Sequence, residues 1–483
     1  MRIGAGFDER RIESGHGLVN NRVATLPLGK LKIGQTEALA LVIIAIIGVA
    51  ILAASTMVTA IALFLLVALA ALRPEASVVA LPAVIGFVYQ ELVLKNARFS
   101  PQETLLATTV AGTGLHALWR LASARTATPI RSVIIELRAR LQLFDLAALA
   151  LLLIGTLSLF TLAMPAYRHE SLRVYRWVIL EPVIYYALAR WYLQSRDLRR
   201  LSVVTFAVGA LLVAAIGIVD LAAGRGLEVE GVTRISGVYP HPNALALFLE
   251  RPLVLLAGLA AVYCTRLRWY WLIGAAIVGA GLLLTFSRGA VLAAGVVIVC
   301  MLFIGQRRRL ATLAAGAGVL LGATLALTAS ARIANLFSGG SGSLRFDLWG
   351  SAIEMVRNHL IFGIGLDQFL YVYAPRYVKP QAWSERFTSH PHDIILDSWL
   401  SLGIMGLVLA LVFVALLSAA TIRLARKRSV LGLAAAGAMF AGILHGLVDN
   451  GYFLPDLALI FWFLTAIIAA EAYEKFDSNR QET

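Results

Sequence analysis

The chain has 483 residues, of which 59% are hydrophobic and only 14% charged, with mean hydropathy +0.80 and a formal net charge of +14. Soluble domains run nearer half apolar and a quarter charged, so a soluble globular protein is excluded, as are collagen-like, coiled-coil, disulfide-scaffold and disordered chains. What remains is an all-α polytopic membrane protein, in which a basic balance reports on the sidedness of loops and not on nucleic acid.

In chain order, residues 1–36 are polar and basic and read as a cytoplasmic segment without a cleavable signal peptide. The apolar run beginning near Glu37 is expected to act as an uncleaved signal anchor. Apolar runs follow at 37–53, 56–72, 77–94, 104–119, 143–165, 174–193, 201–222, 241–263, 269–286, 289–305, 310–329, 394–417, 430–449 and 453–472. A membrane helix needs about 20 apolar residues, so these runs predict about 12–14 transmembrane helices. The run at 104–119 is the weakest, because Thr108, Thr109 and His116 dilute it. Residues 37–222 form an N-terminal group of spans, and 223–329 combines spans with short outer loops. One large outer loop occupies 330–393, opened by the Gly/Ser stretch Ser338–Ser343; the last spans lie in 394–472 and a cytoplasmic tail in 473–483. With the N-terminus inside, every second connection is basic: Arg73, Arg120 to Arg140, Arg196 to Arg200, Arg307–Arg309 and Arg423–Arg428. That alternation predicts an N-in, C-in topology. Cys264 and Cys300 fall at or inside apolar runs and are expected to be packing residues without a disulfide.

This topology gathers at the outer face residues that are remote in sequence. Arg234, His241 and Asn243 lie in RISGVYPHPN, Ser287 and Arg288 in TFSRG, Arg345 and Trp349 in SLRFDLW, and His390, His392 and Asp393 in SHPHD. His445 and Asp449 stand four apart, the spacing of one helix face. Arginine forks bind phosphate oxygens bidentately and stay charged in partly apolar surroundings, so several arginines facing one pocket suit a diphosphate. A histidine takes a proton from a hydroxyl near neutral pH, and a diphosphate held by arginine is a good leaving group. No DxD pair or metal-spaced His/Cys cluster is present in the sequence, so a metal-independent reaction without a cofactor is expected. Glu181, Glu250 and Arg251 lie within spans, where charge is functional by default; Glu250 and Arg251 are expected to neutralise each other, and Glu181 to pair with Arg176 or Arg190. These charges carry the rival reading, a transporter or flippase for an anionic or lipid-linked substrate. Against it, no inverted repeat is visible and the polar residues cluster at the outer face instead of the midplane.

The stretch from about Gly231 to Asp449 resembles the O-antigen ligase and O-antigen polymerase family of bacterial membrane glycosyltransferases. His392-Asp393, then nine residues, then Gly403-Ile404-Met405-Gly406 is similar to the family pattern of His, then Asn (or Ser or Gln), nine residues and Gly-x-x-Gly. His390-Pro391 fits the same motif, TFSRG resembles a second signature and RISGVYPHPN a first, and Arg345 with Trp349 and Gly363-Ile364-Gly365 resembles the start of the family's large periplasmic loop. Position 393 departs from the pattern, and its carboxylate beside His392 is expected to favour phosphate binding over proton abstraction. The resemblance implies a transmembrane-bundle glycosyltransferase of the GT-C type in the bacterial inner membrane, with its active site facing the periplasm. It implies an undecaprenyl-diphosphate-linked glycan as donor and either lipid A-core (ligase) or the growing glycan (polymerase) as acceptor, with membrane lipid and no nucleic acid among its partners. His392 is then the general base and Arg288, Arg234 and Arg345 hold the leaving diphosphate. His390, Asp393, His241, Asn243, His445 and Asp449 are supporting candidates.

Overall fold

Apolar backbone without water to bond must close its hydrogen bonds internally, and helices do so. The computed structural model of the protein is accordingly helical almost throughout the residues it describes: 34–123, 141–229, 231–262, 267–304 and 341–473, with single helical residues at 309, 312 and 316. Helices α1 (Gln35–Ala53) and α2 (Thr56–Leu72) meet at a left-handed Ala54. Helix α3 (Pro74–Ala80) runs into a 3₁₀ turn, Leu81–Phe87, followed by a hairpin of β1 (Leu92–Leu94) and β2 (Ala97–Phe99) with Leu92 opposite Phe99. Then come α4 (Pro101–Ser123), α5 (Leu143–Ser158) and α6 (Arg168–Tyr175), which passes through a π turn, Arg176–Leu180, into α7 (Glu181–Tyr192). Pro182 has no N–H to offer the Val178 carbonyl, and the Tyr452 hydroxyl donates to that carbonyl instead at 2.7 Å.

Helix α8 (Arg196–Ala222) leads to a second hairpin, β3 (Leu227–Val229) against β4 (Val232–Arg234). Helices α9 (Pro242–Val262), α10 (Leu267–Leu284) and α11 (Arg288–Ile304) follow. The large loop holds α12 (Ser341–Asn358), α13 (Phe369–Arg376) and a 3₁₀ turn, Pro380–Glu385; α14 (Ile394–Lys427), α15 (Val430–Gly446) and α16 (Pro455–Tyr473) complete the described chain. Five of these helices, α1, α8, α9, α14 and α16, are long and apolar enough to cross a membrane, and six shorter apolar helices accompany them among the described residues. The protein is a polytopic membrane protein.

Three sequence expectations change. The run at 77–94 does not continue as helix, because Leu92–Leu94 pairs in the first hairpin, and the run at 143–165 is helical only to Ser158. Cys300 is exposed on α11 and is not a packing residue. Cys264, residues 338–340 of the Gly/Ser stretch and the run at 310–329 (apart from residues 312 and 316) lie outside the described residues, as do 1–33 and 474–483; Ser341–Ser343 open α12.

Helix α9 packs on α10, α11 and α15 at the centre of the bundle. Close approach is made possible by small residues, as membrane packing demands: a Cβ on Gly258 would lie 3.1 Å from that of Ala434, and one on Gly281 would lie 3.2 Å from that of Ala214. At the end opposite the large loop, buried Arg199 donates to Glu471 at 2.8 Å, and Ser429 donates to the other Glu471 oxygen at 2.7 Å, tying α8, α15 and α16 together. At the loop end, Leu348, Ala352, Met355, Phe369, Tyr373 and Leu400 make a separate small core that seats α12 and α13 on the top of α14.

Helix α14 breaks at Gly403, whose φ is 71° and ψ −170°. The backbone groups exposed by the break are bonded by the segment after α12: Ile404 N–H donates to the Ile361 carbonyl (3.0 Å), and Ile364 N–H donates to the Leu400 carbonyl (2.6 Å). A Cβ on Gly403 would lie 2.2 Å from the Ile361 oxygen, and one on Gly363, also left-handed, 2.3 Å from the Leu400 oxygen. The two glycines seen as separate motifs in the sequence are therefore one junction. Gly403→Ala and Gly363→Ala should each destabilise by about 1–3 kcal/mol from the left-handed strain alone, read as a lowered thermal midpoint in detergent, whereas Gly295→Ala, inside α11 with open space at its Cβ, should not lower the midpoint.

Candidate functional site

Two imidazoles, a carboxylate and a guanidinium meet at the N-terminus of α14. His392 has φ 53°, a conformation uncommon for a residue with a side chain. Asp393 then caps the helix, its Oδ1 accepting from Ile395 N–H (2.9 Å) and Leu396 N–H (2.8 Å). Reversal of the chain at these two residues leaves His392 Nδ1 2.8 Å from Asp449 Oδ1. Asp449 sits in the turn beyond α15, only 5% exposed. Its Oδ1 also accepts from Asn450 N–H (2.8 Å), and Arg345 Nη2 lies 3.4 Å from its Oδ2. His390 Nε2 is 3.8 Å from Asp449 Oδ1, with its ring 4.3 Å from that of His392. Trp349 donates its indole N–H to the His392 carbonyl at 3.3 Å, and His392 Nε2 faces the Thr388 hydroxyl at 3.5 Å.

Burial by itself would push the Asp449 carboxyl up. The imidazoles of His390 and His392 outweigh that and hold it well below the ordinary carboxylate range. Asp449 is therefore an ionised acceptor facing His392 Nδ1, and His392 Nε2 lies on the side of the Thr388 hydroxyl. Asp393, expected as the carboxylate acting on His392, instead serves its own helix; burial lifts its carboxyl above the usual value against the pull of the two N–H groups it accepts. The partner of His392 is the carboxylate 57 positions further on.

His445 and Asp449 do not form the expected pair on one helix face, because α15 ends at Gly446 and Asp449 belongs to the following turn. His445 Nδ1 lies 2.7 Å from Glu250 Oε2, and the other Glu250 oxygen lies 3.3 Å from Arg251 Nη1. Arg251 in turn donates to the Gly451 carbonyl at 2.7 Å and to the Leu247 carbonyl. Glu250 and Arg251 thus do more than neutralise each other: with His445 they fasten α9 to the turn that carries Asp449. Sequence reasoning placed His445 and Glu250 separately and had no signal for the Gly451 carbonyl or for Thr388.

The arginines divide. Arg345 joins the His–Asp cluster directly. Arg288 opens α11, exposed, with no ion pair or hydrogen bond to other described residues. The next residue, Gly289, lies against His445: a Cβ there would be 2.7 Å from His445 Nε2, so the α11 N-terminus and the Asp449 turn adjoin the same end of α15. Arg234 ends β4 close to His241. Burial, then Arg234, then His392 push the His241 imidazole below its usual value, with Asp449 pulling the other way. His241 Nδ1 accepts from Asn243 N–H at 3.1 Å, so this histidine caps the start of α9 and Asn243 contributes its backbone. In the N-terminal half, Arg176 pairs with Glu103 and lies 3.4 Å from Glu181, while Arg190 pairs with Asp145 at 3.3 Å. Leu63, Thr104, Glu103, Arg176 and Glu181 line a cavity of 220 Å³ there.

The ligand atoms of His390, His392 and Asp449 lie within 4.8 Å of one another, a set that could hold a divalent ion. The same carboxylate already faces the Arg345 guanidinium, a fixed cation where a metal would add two more charges.

The protein is thus a helical membrane bundle with a His–Asp–Arg cluster at the end of its large loop. Residues 273–411 match the family model described as O-Antigen ligase. Members of that family are membrane ligases and polymerases of the glycosyltransferase kind that act on lipid-linked glycans. The match contains Arg288, Arg345, His390, His392 and the Gly403 break; Arg234, His241, His445 and Asp449 lie outside it. No curated protein matches the sequence.

Two outcomes follow. A depressed carboxyl contributes stability that is complete above its unfolded value of 3.8 and is lost only as pH falls through the lower folded value. The Asp449 contribution should thus be lost at acid pH: the thermal midpoint difference between wild type and Asp449→Asn should shrink as the pH falls below 3.8. Removing one member of a buried pair costs about 3–5 kcal/mol, so Arg251→Leu should unfold at a much lower temperature than Glu181→Gln.

Proposed function

We propose that this protein moves a glycan from undecaprenyl diphosphate to an acceptor hydroxyl at the periplasmic face of the bacterial inner membrane, as an O-antigen ligase does. The observation that carries the reading is the short His392 Nδ1 to Asp449 contact with Arg345 on the second carboxylate oxygen. An ionised, buried carboxylate fixes the imidazole ring and stabilises the imidazolium that forms when Nε2 takes a proton. In the proposed step the acceptor hydroxyl loses its proton to His392 Nε2 as its oxygen bonds to the anomeric carbon. The bond from that carbon to the diphosphate oxygen breaks, and its electron pair leaves on the lipid diphosphate. Arg345, Arg288 and Arg234 compensate the departing charge, which matters most where water is scarce. Residues 330–393 form the periplasmic loop that carries the base, and metal takes no part because Arg345 supplies the positive charge.

Ligase and polymerase differ here only in the acceptor, lipid A-core or the growing glycan. Purified protein in nanodiscs, given the lipid-diphosphate glycan and lipid A-core, should release free lipid diphosphate and form the joined product. Elongated glycan without lipid A-core would assign a polymerase, and glycan carried across the bilayer unchanged would assign a transporter. His392→Ala should lower turnover by about 10²–10⁴-fold, the usual worth of a general base, while eluting as a monodisperse bundle. Turnover at the wild-type rate by that variant removes His392 from the chemistry. Activity abolished by EDTA and restored by zinc would replace the guanidinium with a metal.

A further inference from the structure

The segment that fills the break in α14 ends in three consecutive apolar residues that the protein leaves uncovered. Leu360, Ile361 and Phe362 are 52%, 60% and 61% exposed. They are not a mobile tip: the Trp399 indole N–H donates to the Leu360 carbonyl at 2.9 Å, and Ile404 N–H donates to the Ile361 carbonyl at 3.0 Å. Immediately below Ile404, Met405, Val408 and Val412 form one exposed apolar face of α14, positions at helical spacing that in a spanning helix face lipid.

The length of α14 fixes the level of this junction. At 34 residues the helix is too long for one span, and the Gly403 break divides it. Its inner end is marked by Arg423, whose guanidinium stacks over the Tyr473 ring at 4.6 Å. From Ile404 to Arg423 the helix rises roughly 28 Å, close to the roughly 30 Å thickness of the hydrocarbon core. Ile404 therefore stands at the outer boundary of that core, and the backbone bond from its N–H holds Ile361 at the same depth. Trp399 is the kind of side chain that settles at this boundary, and exposed Arg357 and Asn358 just before the apolar run supply a polar flank.

We propose that Leu360–Phe362 is a membrane anchor, seated in the phospholipid boundary of the outer leaflet and continuous with the lipid-facing side of α14. Phospholipid is its partner. The anchor fixes the large loop, and through the Gly363–Gly403 junction the N-terminal segment of α14 that begins at Ile394, just after His392, at a set height above the bilayer. Glycan transfer is not required for this inference, and its test does not read activity.

Ile361→Cys is made in a chain whose Cys264 and Cys300 are serine, labelled with a nitroxide and reconstituted in phospholipid nanodiscs. Spin-label saturation then compares collision with oxygen, which partitions into lipid, against a water-soluble nickel chelate. Expected is oxygen-dominated relaxation at 361, matching a label at Val408 and opposite to a label at Glu354, which is exposed on α12. Nickel-dominated relaxation at 361, equal to that at 354, overturns the anchor. Phe362→Cys is read in the same way and decides the matter if the label at 361 disturbs the junction.

Discussion

A buried carboxylate must collect enough donors to stay ionised, and Asp449 does so from parts of the chain that share nothing in sequence. It draws His392 and, at longer range, His390 from the end of the large loop, Arg345 from α12, and the N–H of its own neighbour Asn450. Each donor is there because some other local rule puts it there. His392 is turned inward because Asp393 is engaged by the first N–H groups of α14, and Arg345 is carried by a helix whose small core rests on Leu400. Remove the carboxylate, and two imidazoles and a guanidinium are left facing one another without compensation.

Below this cluster lies a second polar layer, wholly inside the bundle. Glu250, Arg251 and His445 are nearly free of solvent exposure, and such groups are tolerated there only when paired. Their arrangement reaches upward: Arg251 bonds the Gly451 carbonyl, two residues past Asp449, and His445 touches Gly289 beside Arg288. The turn that presents the carboxylate and the helix end that presents the exposed arginine are thus both set on the same buried triad. Among the described residues these three charged groups are engaged with one another, which accords with a static scaffold more than with a path for moving charge.

The glycine junction supplies the remaining constraint. Helix α14 is longer than one span needs and is interrupted once, at Gly403. At Gly403 the interruption exposes backbone groups, and the segment carrying Gly363 satisfies them. Only residues without a Cβ allow two backbones this close, so a Gly-x-x-Gly signature beside the histidine motif has a physical cause in the docking of the loop.

Helicity and membrane residence were determined by the sequence alone, because they depend on composition and apolar run length. Helix ends within a residue or two of apolar edges, as at α1, α2 and α11, belong to the same category. Which carboxylate serves His392 was decided by the tertiary structure. In sequence Asp393 is adjacent and Asp449 is remote, but adjacency along a chain that is about to enter a helix favours capping, and only folding brings the α15 turn within 2.8 Å. The separation of His445 from Asp449 has a similar origin, since a four-residue spacing means one face only if the helix continues, and α15 stops at Gly446. Local rules act through neighbouring backbone groups and can be read along the chain; ionised side chains choose partners by proximity in space, which the sequence does not contain.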